Sequence, residues 1–280
     1  MLAFLYGIID TLLPFQWVQS DFMKNALIAV LLVTPLFGLL GTMVVNQNMA
    51  FFSDSIGHSV FTGIAIGTLV SVIDPILSAT LFSILFAVVI TIIKNKSRVS
   101  TDTVIGVFSS LAIALGIVLL SFRGGFQKYS SYLIGDLLSI SKRELLTLVI
   151  AFVLILAAWV VIYNRLLLLS VNGSLAKSRG VRTLPVELVF TSVIAVIVTI
   201  SIQWVGLLII NSLLVLPAAS ARNLARNVRQ YTLLSVGIAL FSGISGLVAS
   251  YYLNTATGAT IILISGICFF ISLLFKQKSS

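Results

Sequence analysis

Charge is what this sequence has least of. Asp, Glu, Lys and Arg make up 9% of its residues, against about 25% in soluble domains, while 59% are hydrophobic. Such a chain cannot clothe a water-facing surface with polar groups, so it reads as an integral membrane protein. Alternating polarity in segments of about ten residues is also missing, which excludes a membrane β-barrel and leaves helices. The single cysteine, Cys268, permits neither an intrachain disulfide nor a thiolate metal cluster and reads as a small packing residue. There is no His-Glu-x-x-His zinc helix, no nucleophile elbow and no Gly-x-x-x-x-Gly-Lys-[Ser/Thr] phosphate loop. Intramembrane hydrolysis, and ATP binding through such a loop, therefore have no residues to work with.

What charge there is has one dominant sign: 17 Lys and Arg against 8 Asp and Glu. The basic residues gather in short stretches between apolar runs, so the excess speaks of membrane orientation and not of nucleic acid. Apolar runs are read at 22–45, 52–73, 76–93, 102–122, 145–169, 184–201, 203–217, 231–253 and 258–275. The pair 184–201 and 203–217 is short, with Gln203-Trp204 as the polar break, so the count is eight or nine spans with one broken or tilted. The fold class is thus all-α and polytopic. An alternating traverse puts the clusters around Lys94–Arg98, Arg165–Arg182, Arg222–Arg229 and Lys276–Lys278 on one face, assigned to the cytoplasm. The segment 123–144 then lies outside, although it carries Arg123, Lys128, Lys142 and Arg143. Its stretch Tyr129 to Ser141 is too short to span and reads as a re-entrant or surface helix at an entrance. Residues 1–20 read as an interfacial helix, not a cleavable leader. Gly38 and Gly41, Gly63 and Gly67, and Gly243 and Gly246 have the spacing of close helix packing.

Against this background Asp54 and His58, the one histidine, stand out. Four-residue spacing stacks both side chains on one helix face, where a carboxylate and an imidazole suit a divalent transition metal or a proton relay. The competing reading is that Ser53 or Asp54 caps the helix. Two ligands do not complete a shell; Ser55, Ser59, backbone carbonyls or a second copy of the chain are the candidates to extend it. A second constellation is Pro217 and Ala218 followed by Arg222, Arg226 and Arg229. It reads as a span ending at proline and then a short basic helix over 218–230, serving as positive-inside charge with lipid contact or as a docking helix for a cytoplasmic partner. Asp102 reads as a helix cap or a gating group, and Asp136 as a solvated loop carboxylate or a cation attractor at the entrance.

Four ordered stretches give the chain a resemblance to the permease subunit of metal-ion ABC importers. They are Ser53-Asp54-Ser-Ile-Gly-His58 continuing to Gly63-Ile-Ala65, then Asp102-Thr-Val-Ile-Gly106, then Tyr132-Leu-Ile-Gly135-Asp136, and finally Val205-Gly206 through Pro217-Ala218-Ala-Ser-Ala-Arg222. The resemblance implies one permease domain over 1–280 that imports a divalent metal, zinc by the look of the third and fourth stretches, with manganese or iron as alternatives. It implies a homodimer, two separate ATPase subunits and an extracytoplasmic metal-binding protein, with no cofactor bound by this chain. Asp54 and His58 would form the metal site, and Pro217 to Arg229 would couple to the ATPase. The chain departs from the zinc members at Gln127-Lys128-Tyr129 and at Asn254, where acidic residues are usual. A proton-coupled secondary metal transporter is the alternative of another class.

Overall fold

The computed structural model describes residues 6–7, 10–11, 15–70, 74–97, 99–122 and 135–275. Among them are ten α-helices: α1 Asp21–Asn46, α2 Phe52–Val70, α3 Pro75–Lys96, α4 Thr101–Ser121, α5 Lys142–Val171, α6 Gly173–Ser178, α7 Thr183–Val205, α8 Leu207–Leu224, α9 Val228–Leu253 and α10 Thr257–Leu274. Seven of these, α1, α3, α4, α5, α7, α9 and α10, are long and apolar enough to cross a membrane. Length and composition thus support seven crossings where eight or nine were expected; α2 and α8, which carry the polar residues discussed below, are not among the seven.

Local chemistry fixes many of the helix ends. Asp74 accepts from the backbone N–H groups of Ile76 and Leu77, and Pro75 occupies the first turn, where its missing N–H costs nothing. Ser141 and Glu144 form a reciprocal capping box at the start of α5. The break between α7 and α8 falls at Gly206, not at Gln203-Trp204. Gly206 sits at φ +85°, and Gly135 (φ +69°) lies so close that a Cβ on it would stand 2.3 Å from the Gly206 nitrogen. Both positions therefore require glycine. Pro217 likewise does not end its helix: α8 runs on to Leu224. The proline removes one backbone hydrogen bond, but α1, α9 and α10 pack around α8, and Ala218, Ser220 and Ala221 are fully buried.

The core is organised around α1 and α7, whose most apolar windows are 72% and 61% buried, against 33% or less in the other five candidate spans. Helix α1 packs on α9, α8 and α5, while α2 packs on α3, α4, α7 and α8. The glycine pairs mark these contacts. A Cβ on Gly41 would fall 2.0 Å from the Leu214 carbonyl oxygen, and one on Gly63 would fall 2.5 Å from the Ala79 Cα. A polar seam ties α3 to α7: Lys94 Nζ lies 3.1 Å from Glu187 Oε2, and Asn95 Nδ2 donates to that same oxygen at 2.6 Å. Half of the N-terminal segment, read as interfacial over 1–20, lies outside the described residues. Within the described part, Asp10 pairs with Lys24 of α1 at 2.6 Å, and Trp17 and Val18 are buried.

Candidate functional site

Helix α2 begins after a tight turn in which the Met49 N–H bonds to the Val44 carbonyl and the Phe52 N–H to the Met49 carbonyl. Asp54 falls in the first turn, where the helix dipole favours a carboxylate, and His58 lies one turn further on. Their side chains meet: His58 Nε2 is 3.4 Å from Asp54 Oδ2, with the two side chains 21% and 36% exposed. Residues 53, 56, 57, 60 and 64 are buried in the chain, whereas 54, 58 and 61 form the half-exposed line of the helix. The pair thus faces away from its own core. The Ser53 hydroxyl, read as a possible cap, donates instead to Asn211 Oδ1 of α8, at 2.6 Å.

The separation of the two donor atoms can be compared with what a metal needs. Metal–nitrogen and metal–oxygen bonds of about 2.0–2.2 Å at a tetrahedral angle put the donors about 3.4 Å apart, and a right-angled octahedral pair puts them about 3.0 Å apart. The observed distance fits the first without adjustment and the second after a small side-chain rotation, so the pair can grip either type of ion. One chain does not finish the shell. Ser55 is fully buried with no hydrogen-bond partner for its hydroxyl, and Ser59 bonds the Ile56 carbonyl and Ser83. Ser55 follows Asp54 and Ser59 follows His58 by one residue, and each is turned about 100° away from that neighbour. Among the described residues no group of three or more His, Cys, Asp or Glu side chains comes together.

The other candidates lie apart from this pair. Asp102 is exposed in the first turn of α4, whose cap is Ser100, which accepts from the Thr103 N–H. Asp136 is exposed and caps the 3-10 turn Leu137–Ser139 by accepting from the Leu138 N–H, while its own N–H donates to the Gln203 carbonyl. The end of the outer segment therefore sits on the α7–α8 break as a short turn; residues 129–134 of the expected surface helix lie outside the described residues. The expected basic helix over 218–230 is instead a helix end, a turn and a helix start. Arg222 is in the last turn of α8, Arg226 in the connection and Arg229 in the first turn of α9, whose cap Asn227 accepts from the Gln230 N–H. All three arginines are exposed, but Pro217 and Ala218 are buried within α8. The sequence reading passes over Asn211 and Glu187; an amide beside Ser212 and a lone carboxylate, each within an apolar run, are the available signal.

A bundle of apolar helices holding an ionisable pair on a half-exposed face defines a multi-pass membrane transport protein. The chain belongs to the ABC 3 transport family, whose model matches residues 19–276. It is the permease component of such a transporter, which ATPase and substrate-binding partners complete. It is 28% identical over 254 residues to the high-affinity zinc uptake system membrane protein ZnuB of Haemophilus influenzae, covering 90% of this chain and 97% of that one. It is also 28% identical over 260 residues to the manganese transport system membrane protein MntC of Listeria innocua, covering 93% and 92%. The solved structure of PsaBC from Streptococcus pneumoniae in complex with Fab superposes with a TM-score of 0.78 at 28% identity, covering 97% of this chain and 95% of that chain. The lean toward zinc is not sustained, since a zinc and a manganese relative stand at equal identity.

Proposed function

We propose that this permease imports a divalent metal ion, zinc or manganese, and that Asp54 and His58 hold the ion in the translocation path. The observation that carries the reading is the pair itself: a carboxylate and an imidazole 3.4 Å apart on the outward line of α2, at the bite of a metal. A second copy of the chain supplies the remaining ligands, because one copy offers two. Two ATPase subunits dock where Arg222, Arg226 and Arg229 crowd the turn between α8 and α9, and an extracytoplasmic metal-binding protein delivers the ion. Helices α2 and α8 join the seven candidate spans in crossing the membrane, their polar residues facing the path.

The experiment is metal uptake by proteoliposomes of the reconstituted complex, with wild type, Asp54→Ala and His58→Ala compared for zinc and manganese. Loss of ATP-dependent uptake in both variants, with complex assembly intact, is the expected result. Unchanged uptake of both metals by either variant would remove the pair from the path, and uptake that follows a proton gradient without ATP would refute the importer reading itself.

A further inference from the structure

The contact between α2 and α8 has a register that bears on the metal pair. Ser53 meets Asn211 and Gly57 meets Leu207, so four residues forward on α2 match four residues back on α8, and the two helices run antiparallel. The Ser53 hydroxyl, itself buried, donates to Asn211 Oδ1 at 2.6 Å. At Gly57 the Leu207 methyl Cδ1 lies 2.0 Å from where a Cβ would stand, so the leucine fills the space that the missing side chain leaves. Each contact residue immediately precedes a ligand: Ser53 before Asp54, Gly57 before His58. Neighbouring side chains on a helix differ by about 100° in direction, so holding positions 53 and 57 against α8 sets the directions of 54 and 58.

Resting on the reading of Asp54 and His58 as the metal pair, we propose that Asn211 is a positioning residue for it, fixing the rotation of the first turn of α2 through Ser53 so that both donors face one point. Asn211 is not a ligand in this arrangement, because its carbonyl oxygen accepts from Ser53 on the buried side of α2, turned away from the half-exposed line that carries Asp54 and His58. Helix α8 begins just after the Gly206 break and carries the exposed Arg222 in its last turn, so one helix joins the break, the Ser53–Asn211 hydrogen bond and the arginine-bearing turn.

The test titrates the purified full-length protein with Co2+, whose visible absorption reports ligand number and geometry, in wild type, Ser53→Ala, Asn211→Ala, Asn211→Asp and the double variant S53A/N211A. Asp54→Asn and His58→Ala run alongside. Partners that orient ligands are worth about 10–100-fold in metal affinity, and one acting through a neighbouring residue should weaken Co2+ binding about 3–10-fold. The expected pattern is that S53A and N211A each do so with a changed absorption band, and that the double variant is no worse than either. N211D should restore wild-type behaviour, since a carboxylate oxygen accepts the same proton. Weakening by N211A with S53A unaffected would make Asn211 a ligand and overturn the proposal. Unchanged affinity and band in both S53A and N211A, while D54N and H58A abolish the band, would overturn it and leave the metal pair standing. Undiminished binding in D54N and H58A would instead overturn the reading on which the proposal rests.

Discussion

The seam between α3 and α7 makes a prediction with an internal asymmetry. Lys94 and Glu187 have side chains only 15% and 9% exposed, and Glu187 accepts from both Lys94 and Asn95. Removing one partner of a buried ion pair costs about 3–5 kcal/mol, because the other charge is left without compensation. Glu187→Leu strands the ammonium and takes from the Asn95 amide one of its two acceptors. Lys94 sits near the helix end and can extend its stem toward water, which trims the cost to about 2–4 kcal/mol. Lys94→Met leaves Glu187 with the Asn95 hydrogen bond, a charge-assisted bond worth about 1.5–3 kcal/mol, so its loss should be about 1–2 kcal/mol. The double variant K94M/E187L strands only the Asn95 amide, which still reaches the Thr91 carbonyl, and should be more stable than E187L alone. Unfolding in mixed micelles, followed by the fluorescence of the buried Trp17, Trp159 and Trp204, measures all three. Equal losses in the two single variants and their plain sum in the double would refute the reasoning, since additivity means that the groups do not interact.

Gly57→Ala pushes a methyl into Leu207, and overpacking of this kind costs about 1–3 kcal/mol; metal uptake should fall, and adding Leu207→Ala should recover it. Charge reversal of Arg222, Arg226 and Arg229 to Glu should release the ATPase in a pull-down while leaving Co2+ binding by the permease unchanged.

Each of the nine apolar runs read from the sequence became one helix. The run at 22–45 is Asp21–Asn46, and that at 258–275 is Thr257–Leu274. This succeeds because sustained hydrophobicity over a membrane's thickness leaves the backbone no alternative to helix. The errors fall where local rules meet tertiary contacts. The polar dipeptide Gln203-Trp204 reads as the break, yet Trp204 is buried and the chain turns at Gly206, which alone there tolerates the positive-φ backbone that the turn needs. Pro217 was taken as a terminator, but packing on three sides holds α8 together beyond it. Asp54 and His58 were legible because ionisable groups in an apolar run are expensive. Asn211 was not, because its meaning lies in Ser53, 158 residues away in sequence.

That same expense argues for the assembly. Asp54 and His58 lie on the line of α2 that the chain's own core leaves open, with Phe61 one turn beyond His58. Facing lipid, an ionised carboxylate would carry a penalty of about 2.5–3.5 kcal/mol or more at membrane depth. The contact with His58 offsets part of this, but at 3.4 Å it is a long one that leaves most of the carboxylate's acceptor capacity unused. The line must therefore be covered by polar surroundings when the transporter is assembled. A second copy related by twofold symmetry would bring a second Asp54 and His58 to the first, turning two donors into four and the open line into the wall of a path. On this view the incompleteness of the site within one chain follows from its function, because a shell closed by a single subunit could not open when the subunits move apart.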